Sequence, residues 1–150
     1  MIKYFNNKQI TYIKGKHTKD EILQMLVDFM EKNTDFIENK EEFYTQIIER
    51  EKIGSTGIGM GVAIPHARSA GVKDVVIALA VLEYPVDFNS IDGELIKTVV
   101  LVGAPKDKSK EYLSLLSILS KIFRVKKNRD LIKTAGDQKE LMEAVLEIEV

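Results

Sequence analysis

The chain has two histidines, and they stand in different settings. His66 follows Ile64-Pro65 and a loop containing Gly54, Gly57, Gly59 and Gly61, whereas His17 lies in the polar stretch after Lys14-Gly15-Lys16 and reads as a solvated loop residue. Proline fixes its own φ and restricts the residue before it, so the imidazole of His66 is presented stiffly. A neutral imidazole attacks phosphorus well, since one ring nitrogen keeps its lone pair while the other carries the proton. A lone histidine at a strand end is also commonly a hydrogen-bonded structural residue, and the local sequence leaves both readings open.

The residues around His66 suit an anion. Glycines let backbone N–H groups approach closely, Gly57 among them, and Ser55 and Thr56 add hydroxyl donors. A tight connection between a helix and a strand would use the same residues. Arg50 offers a planar fork of donors that matches phosphate oxygens, and Arg68 is a further candidate cation. Spacing narrows the chemistry. Gly57-Ile58-Gly59-Met60-Gly61 is followed by Val62, not by the pattern of a dinucleotide loop, and no Gly-Lys-Ser/Thr occurs. Two distant histidines and no cysteine supply no metal-ligand set, so neither metal nor cofactor is expected.

These residues need elements to hold them. Ile10 to Ile13 alternates as a short strand, and Thr18 with Glu21 forms a capping box for a helix from Lys19 to about Lys32. A second helix is expected from Lys40 to about Glu51, with Asn39 as its cap and Arg50 at its end. Val62-Ala63-Ile64, Val75 to Leu82 and Ile96 to Val102 read as strands, the latter two covered on both faces. Helical periodicity returns from Ser109 to Phe123, with Leu113, Leu116 and Leu119 among its apolar positions. A short helix is expected over Asp130 to Ala135 and a last one, capped by Asp137 with Glu140, through about Glu147. The order predicts a single α/β domain over residues 1–150, a central mixed sheet with helices packed on both faces.

Bulk properties exclude other classes. With 22 basic and 23 acidic residues, the charge of -1 gives no electrostatic reason to expect nucleic acid or an anionic membrane as partner. The longest apolar run, Val75 to Leu82, is far below the roughly 20 residues that span a bilayer. Direct membrane insertion is therefore not expected, and the absence of cysteine is compatible with a cytoplasmic protein.

Taken in order, Arg50-Glu51-Lys52-Ile53-Gly54-Ser55-Thr56-Gly57-Ile58-Gly59-Met60-Gly61-Val62-Ala63-Ile64-Pro65-His66 resembles the phosphorylation site of fructose/mannitol-type (type 2) enzyme IIA domains, components of the phosphoenolpyruvate-dependent sugar phosphotransferase system. The family includes nitrogen-regulatory members. Pro85-Val86-Asp87-Phe88 and Ile91-Asp92-Gly93 are similar to the family as well. The resemblance implies that His66 accepts a phosphoryl group from the phosphohistidine of HPr, or of its nitrogen-branch counterpart, and passes it to a cysteine of an enzyme IIB. Arg50 matches the arginine that stabilises the moving group, and no metal or cofactor takes part. Many members carry a second histidine where this chain has Tyr112, whose hydroxyl can donate to phosphate but cannot become a cation. Tyr112 reads equally as a helix-surface aromatic. With no IIB or membrane segment in the sequence, the protein is expected to act as a separate subunit. It would serve a sugar transporter or, alternatively, bind a regulatory protein according to its phosphorylation state, as an interaction module would.

Overall fold

The computed structural model describes residues 6–148. Along the chain run β1 (Ile10–Ile13), α1 (Lys19–Asn33), α2 (Lys40–Ile53), β2 (Gly57–Gly59), β3 (Val62–Ala63), β4 (His66–Arg68), β5 (Val76–Val86), β6 (Ile96–Ala104), α3 (Ser109–Arg124), α4 (Lys126–Lys133) and α5 (Gln138–Leu146). The two long apolar runs pair with each other: β5 and β6 are antiparallel, with Leu79 opposite Val100. The mixed sheet has six strands in the order β1-β5-β6-β3-β2, and β4 also pairs with β6. β3 and β4 are thus successive parallel segments on one edge of β6, interrupted at Ile64-Pro65.

Side chains alternate across a strand, and β5 turns that alternation into two cores. Ile77, Leu79 and Val81 pack with α3, α4 and α5, while Ala78, Ala80 and Leu82 pack with α1 and α2. Both faces of the sheet are therefore covered by helices, as the apolar runs predict. No helix among the described residues is long and apolar enough to cross a membrane.

The helix starts follow local chemistry. Thr18 accepts from the Glu21 N–H while the Glu21 carboxylate accepts from the Thr18 N–H, which closes the expected capping box. Asn39 accepts from Glu42 N–H at 3.1 Å and Asp137 from Glu140 N–H at 2.8 Å. The Glu140 carboxylate instead takes the N–H of Gly136, so no reciprocal box forms there. At the edge strand β1, the Gln138 amide accepts from Tyr12 N–H at 2.7 Å and donates to Ile10 C=O at 2.9 Å. One side chain there substitutes for a neighbouring strand and blunts an otherwise open edge.

Three features differ from the sequence reading. α4 begins at Lys126, immediately after α3, rather than near Asp130. Its polar residues secure the join: the Asn128 amide donates to Ile122 C=O, and Arg129 donates to Phe123 and Arg124 C=O. They bond carbonyls in the last turn of α3, of which Ile122 C=O also takes the Val125 N–H, a role that periodicity does not register. Leu113 is exposed at 62%, and the inward positions of α3 are Tyr112, Leu115, Leu119, Ile122 and Phe123. The short strands β2 and β4 form where glycine and proline concealed them.

β6 must come close to α2 for the site to assemble. A Cβ on Gly103 would lie 2.7 Å from Cζ of the fully buried Phe43, and Gly103 pairs with Ala67 of β4. Gly103→Ala is expected to cost about 1–3 kcal/mol by overpacking. Urea unfolding checks this through a lowered midpoint at unchanged slope; an unchanged midpoint contradicts the close approach.

Candidate active site

Ala67 belongs to the core under α1 and α2, so strand alternation sends its neighbours His66 and Arg68 to the opposite face. Two helix ends meet them there. α2 brings Arg50 in its last turn, and α3 brings Tyr112 in its first. Together these four residues line a cleft of about 470 Å³, with Gln46, Glu49, Lys106 and an apolar rim of Ile53, Leu113 and Leu116. Ile53 and Leu113 are largely exposed. His17 lies elsewhere, its Nε2 2.8 Å from Lys14 C=O.

The imidazole of His66 is oriented by one bond. Its Nδ1 lies 2.6 Å from Ile64 C=O, and a carbonyl only accepts, so Nδ1 carries the proton. The lone pair is therefore on Nε2. Burial holds the His66 pKa below its ordinary 6.5, and the Arg50 charge acts in the same direction, against the Ile64 hydrogen bond and the Glu51 carboxylate. At neutral pH the ring is an uncharged nucleophile with a defined tautomer.

The surrounding groups divide into permanent cations and a neutral donor. Arg50 donates to Gly54 C=O at 2.8 Å, which anchors its guanidinium to the end of its own helix. Arg68 donates to the Ser109 hydroxyl. The Tyr112 ring centre is 6.0 Å from that of His66, tilted by 54°. Burial pushes the Tyr112 pKa up to about 12, against the pull of Arg68 and Arg50, so its hydroxyl keeps its proton at neutral pH. Of the two sequence readings of Tyr112, the helix-surface aromatic does not hold, since the ring is 7% exposed and lines the cleft.

The glycine loop forms a second, smaller cleft beside the first. Ser55, Thr56 and Gly57 line it together with Arg50, His66 and Leu116. Their donors are engaged within the protein. The Ser55 hydroxyl donates to Phe88 C=O at 2.6 Å and accepts from Gly57 N–H at 3.0 Å, and the Thr56 hydroxyl donates to Glu51. A Cβ on Gly57 would fall 2.1 Å from the Ser90 hydroxyl oxygen and 3.0 Å from its Cβ, so glycine lets the loop close on the 88–90 segment without displacing Ser90. Glu51 and its partner Lys19, whose Nζ is 2.7 Å from the carboxylate, were not singled out by the sequence reading. Glu51 sits inside the motif beside Arg50, but nothing in the sequence joins it to a lysine so far upstream.

Known proteins similar to this chain show its family and fold. Over 106 residues the chain is 31% identical to the nitrogen regulatory protein of Pseudomonas aeruginosa, covering 71% of this chain and 69% of that protein. It is 27% identical to the fructose-specific EIIABC component of Bacillus subtilis, over 91% of this chain but only 23% of that larger protein. The crystal structure of nitrogen regulatory protein IIA-Ntr from Neisseria meningitidis superimposes with a TM-score of 0.81 at 27% identity, covering 95% of this chain and 96% of that one. Residues 3–148 match the family described as phosphoenolpyruvate-dependent sugar phosphotransferase system, EIIA 2, and the chain belongs to that family.

Proposed function

We propose that this protein is a cytoplasmic phosphoryl carrier: Nε2 of His66 accepts a phosphoryl group from the phosphohistidine of HPr, or of an HPr-like nitrogen-branch carrier, and delivers it to a cysteine of an enzyme IIB in sugar uptake of the fructose/mannitol type. The observation that carries this reading is the Nδ1–H bond to Ile64 C=O, which leaves the Nε2 lone pair in a cleft holding two guanidinium groups.

On this reading the bond also accounts for the ring proton. As Nε2 bonds to phosphorus, the donor's nitrogen–phosphorus bond breaks and its electron pair returns to the donor imidazole. His66 need not lose a proton, because Nδ1 keeps it throughout. The phosphorylated ring is then an imidazolium steadied by the Ile64 carbonyl. When the acceptor thiolate attacks phosphorus, the electron pair of the breaking bond returns to Nε2 and a neutral imidazole leaves. We assign Arg50 to the phosphoryl oxygens during both transfers and Tyr112 to a neutral hydrogen bond with them. Ser55, Thr56 and Gly57 form the adjoining wall of the phosphate site.

A second reading keeps the site and changes the receiver. The likeness to the Pseudomonas regulatory protein covers most of that protein's length, which favours a nitrogen-branch regulator that binds a target in one phosphorylation state. A phosphoryl group adds about -1.5 to -2 charge. Beside the exposed Ile53 and Leu113, that change is enough to alter a docking face.

Incubated with enzyme I, HPr and phosphoenolpyruvate, the wild-type chain should gain an acid-labile adduct that His66→Ala lacks; labelling of the variant at the wild-type rate removes His66 from the role. Arg50→Ala should slow acceptance by about 100-fold, the usual size for loss of one transition-state charge partner. The variant should stay folded with a cooperative melting transition, lowered only by loss of the Gly54 hydrogen bond, and unaltered transfer with donor and acceptor alike rejects the assignment. Since burial holds the His66 pKa below 6.5, single-turnover acceptance should be flat above about pH 7 and fall only as Nε2 is protonated on acidification. A plateau reached only above pH 7, with a midpoint above the ordinary histidine value, contradicts the neutral nucleophile.

A further inference from the structure

Lys19 is the first residue of α1, where the positive end of the helix dipole disfavours an ammonium group. It is held there from outside its helix. Its Nζ lies 2.7 Å from the Glu51 carboxylate and 4.9 Å from the centre of the Phe88 ring. The Glu51 side chain is 6% exposed, and it accepts from the hydroxyl of Thr56, itself buried. From there a bonded path leads to the reacting ring. Thr56 C=O accepts from Ile64 N–H at 3.0 Å, and Ile64 C=O accepts from His66 Nδ1–H at 2.6 Å.

We propose that the Lys19–Glu51 pair is a positioning device for His66: Glu51 fixes the Thr56 segment that aligns Ile64 with the imidazole, and Lys19 masks the Glu51 charge from the ring and from an arriving phosphoryl group. The purpose of the mask rests on the carrier reading, because an unmasked carboxylate would repel the phosphoryl anion; the alignment does not. The other charged or titratable groups facing His66 are Arg50 and Glu49 of α2, Arg68 of β4, Lys106 before α3, and Tyr112 of α3. Glu49 is paired with Lys52, whereas Glu51 is the carboxylate that raises the proton affinity of His66. Lys19 therefore opposes an effect that Glu51 alone would exert more strongly.

Nitrogen NMR titration of His66 in the full-length, unphosphorylated protein tests this with Glu51→Gln, Lys19→Met and the double variant. Glutamine keeps an oxygen for the Thr56 hydroxyl while removing the charge, so Glu51→Gln should lower the His66 pKa with the Nδ1–H tautomer retained. Lys19→Met should raise it, and the double variant should fall between the two single variants. At a fixed ratio of phosphorylated to free HPr, Lys19→Met should hold about three-fold less phosphoryl group, the size of half a pKa unit, and the double variant should recover it. A His66 pKa unmoved by Glu51→Gln overturns the inference even if Lys19→Met does not fold, as does a shift of the same sign in both single variants. Opposite shifts in a protein that HPr never phosphorylates would support the pair as a device acting on the ring and overturn the carrier reading instead.

Discussion

A single hydrogen bond, from Nδ1 of His66 to Ile64 C=O, decides what the site can do. Such a bond contributes only about 0.5–1.5 kcal/mol net, yet it selects which ring nitrogen is nucleophilic. The sheet makes it available. Between β3 and β4 the chain leaves the β6 ladder for two residues, and Pro65, which has no N–H, still accepts from Val102 N–H at 2.9 Å. Ile64 N–H turns instead to Thr56 C=O, and its carbonyl is left for the imidazole. An unbroken strand would have bound that carbonyl into the ladder.

Charge is arranged around this bond by groups that do not titrate near neutrality. Arg50 and Arg68 stay cationic, and Tyr112, held up to about 12, stays neutral. His66 is then the one member of this quartet with a protonation equilibrium near physiological pH. A second histidine in place of Tyr112 would add a further titration. With tyrosine, the cleft's cations are Arg50, Arg68 and Lys106, and on the proposed carrier reading phosphorylation of His66 is the event that alters its charge.

Much of this could be read from the sequence, for reasons that are local. The Thr18–Glu21 box, the Asn39 and Asp137 caps and the continuous apolar runs of β5 and β6 express short-range rules, and each appears where those rules put it. The motif from Arg50 to His66 likewise identified the family, and the fold brings its two ends into one cleft. What stayed hidden depends on partners distant in the chain. β4 is a strand because β6 offers it an edge, and α4 starts early because Asn128 and Arg129 close the end of α3. Ser55 and Thr56 looked like open anion donors, but Phe88 and Glu51 occupy their hydroxyls. Lys19 belongs to the site only through a fold that sets α1 beside the end of α2.

Sugar transport and nitrogen regulation make different demands on the receiving partner, but both readings proposed for this chain place the phosphoryl group on the same nitrogen. The most direct test is phosphorus–nitrogen NMR of histidine-labelled protein charged by enzyme I and HPr. The account predicts coupling of phosphorus to Nε2 of His66 with Nδ1 still protonated; phosphate on Nδ1 of His66, or on His17, would contradict it.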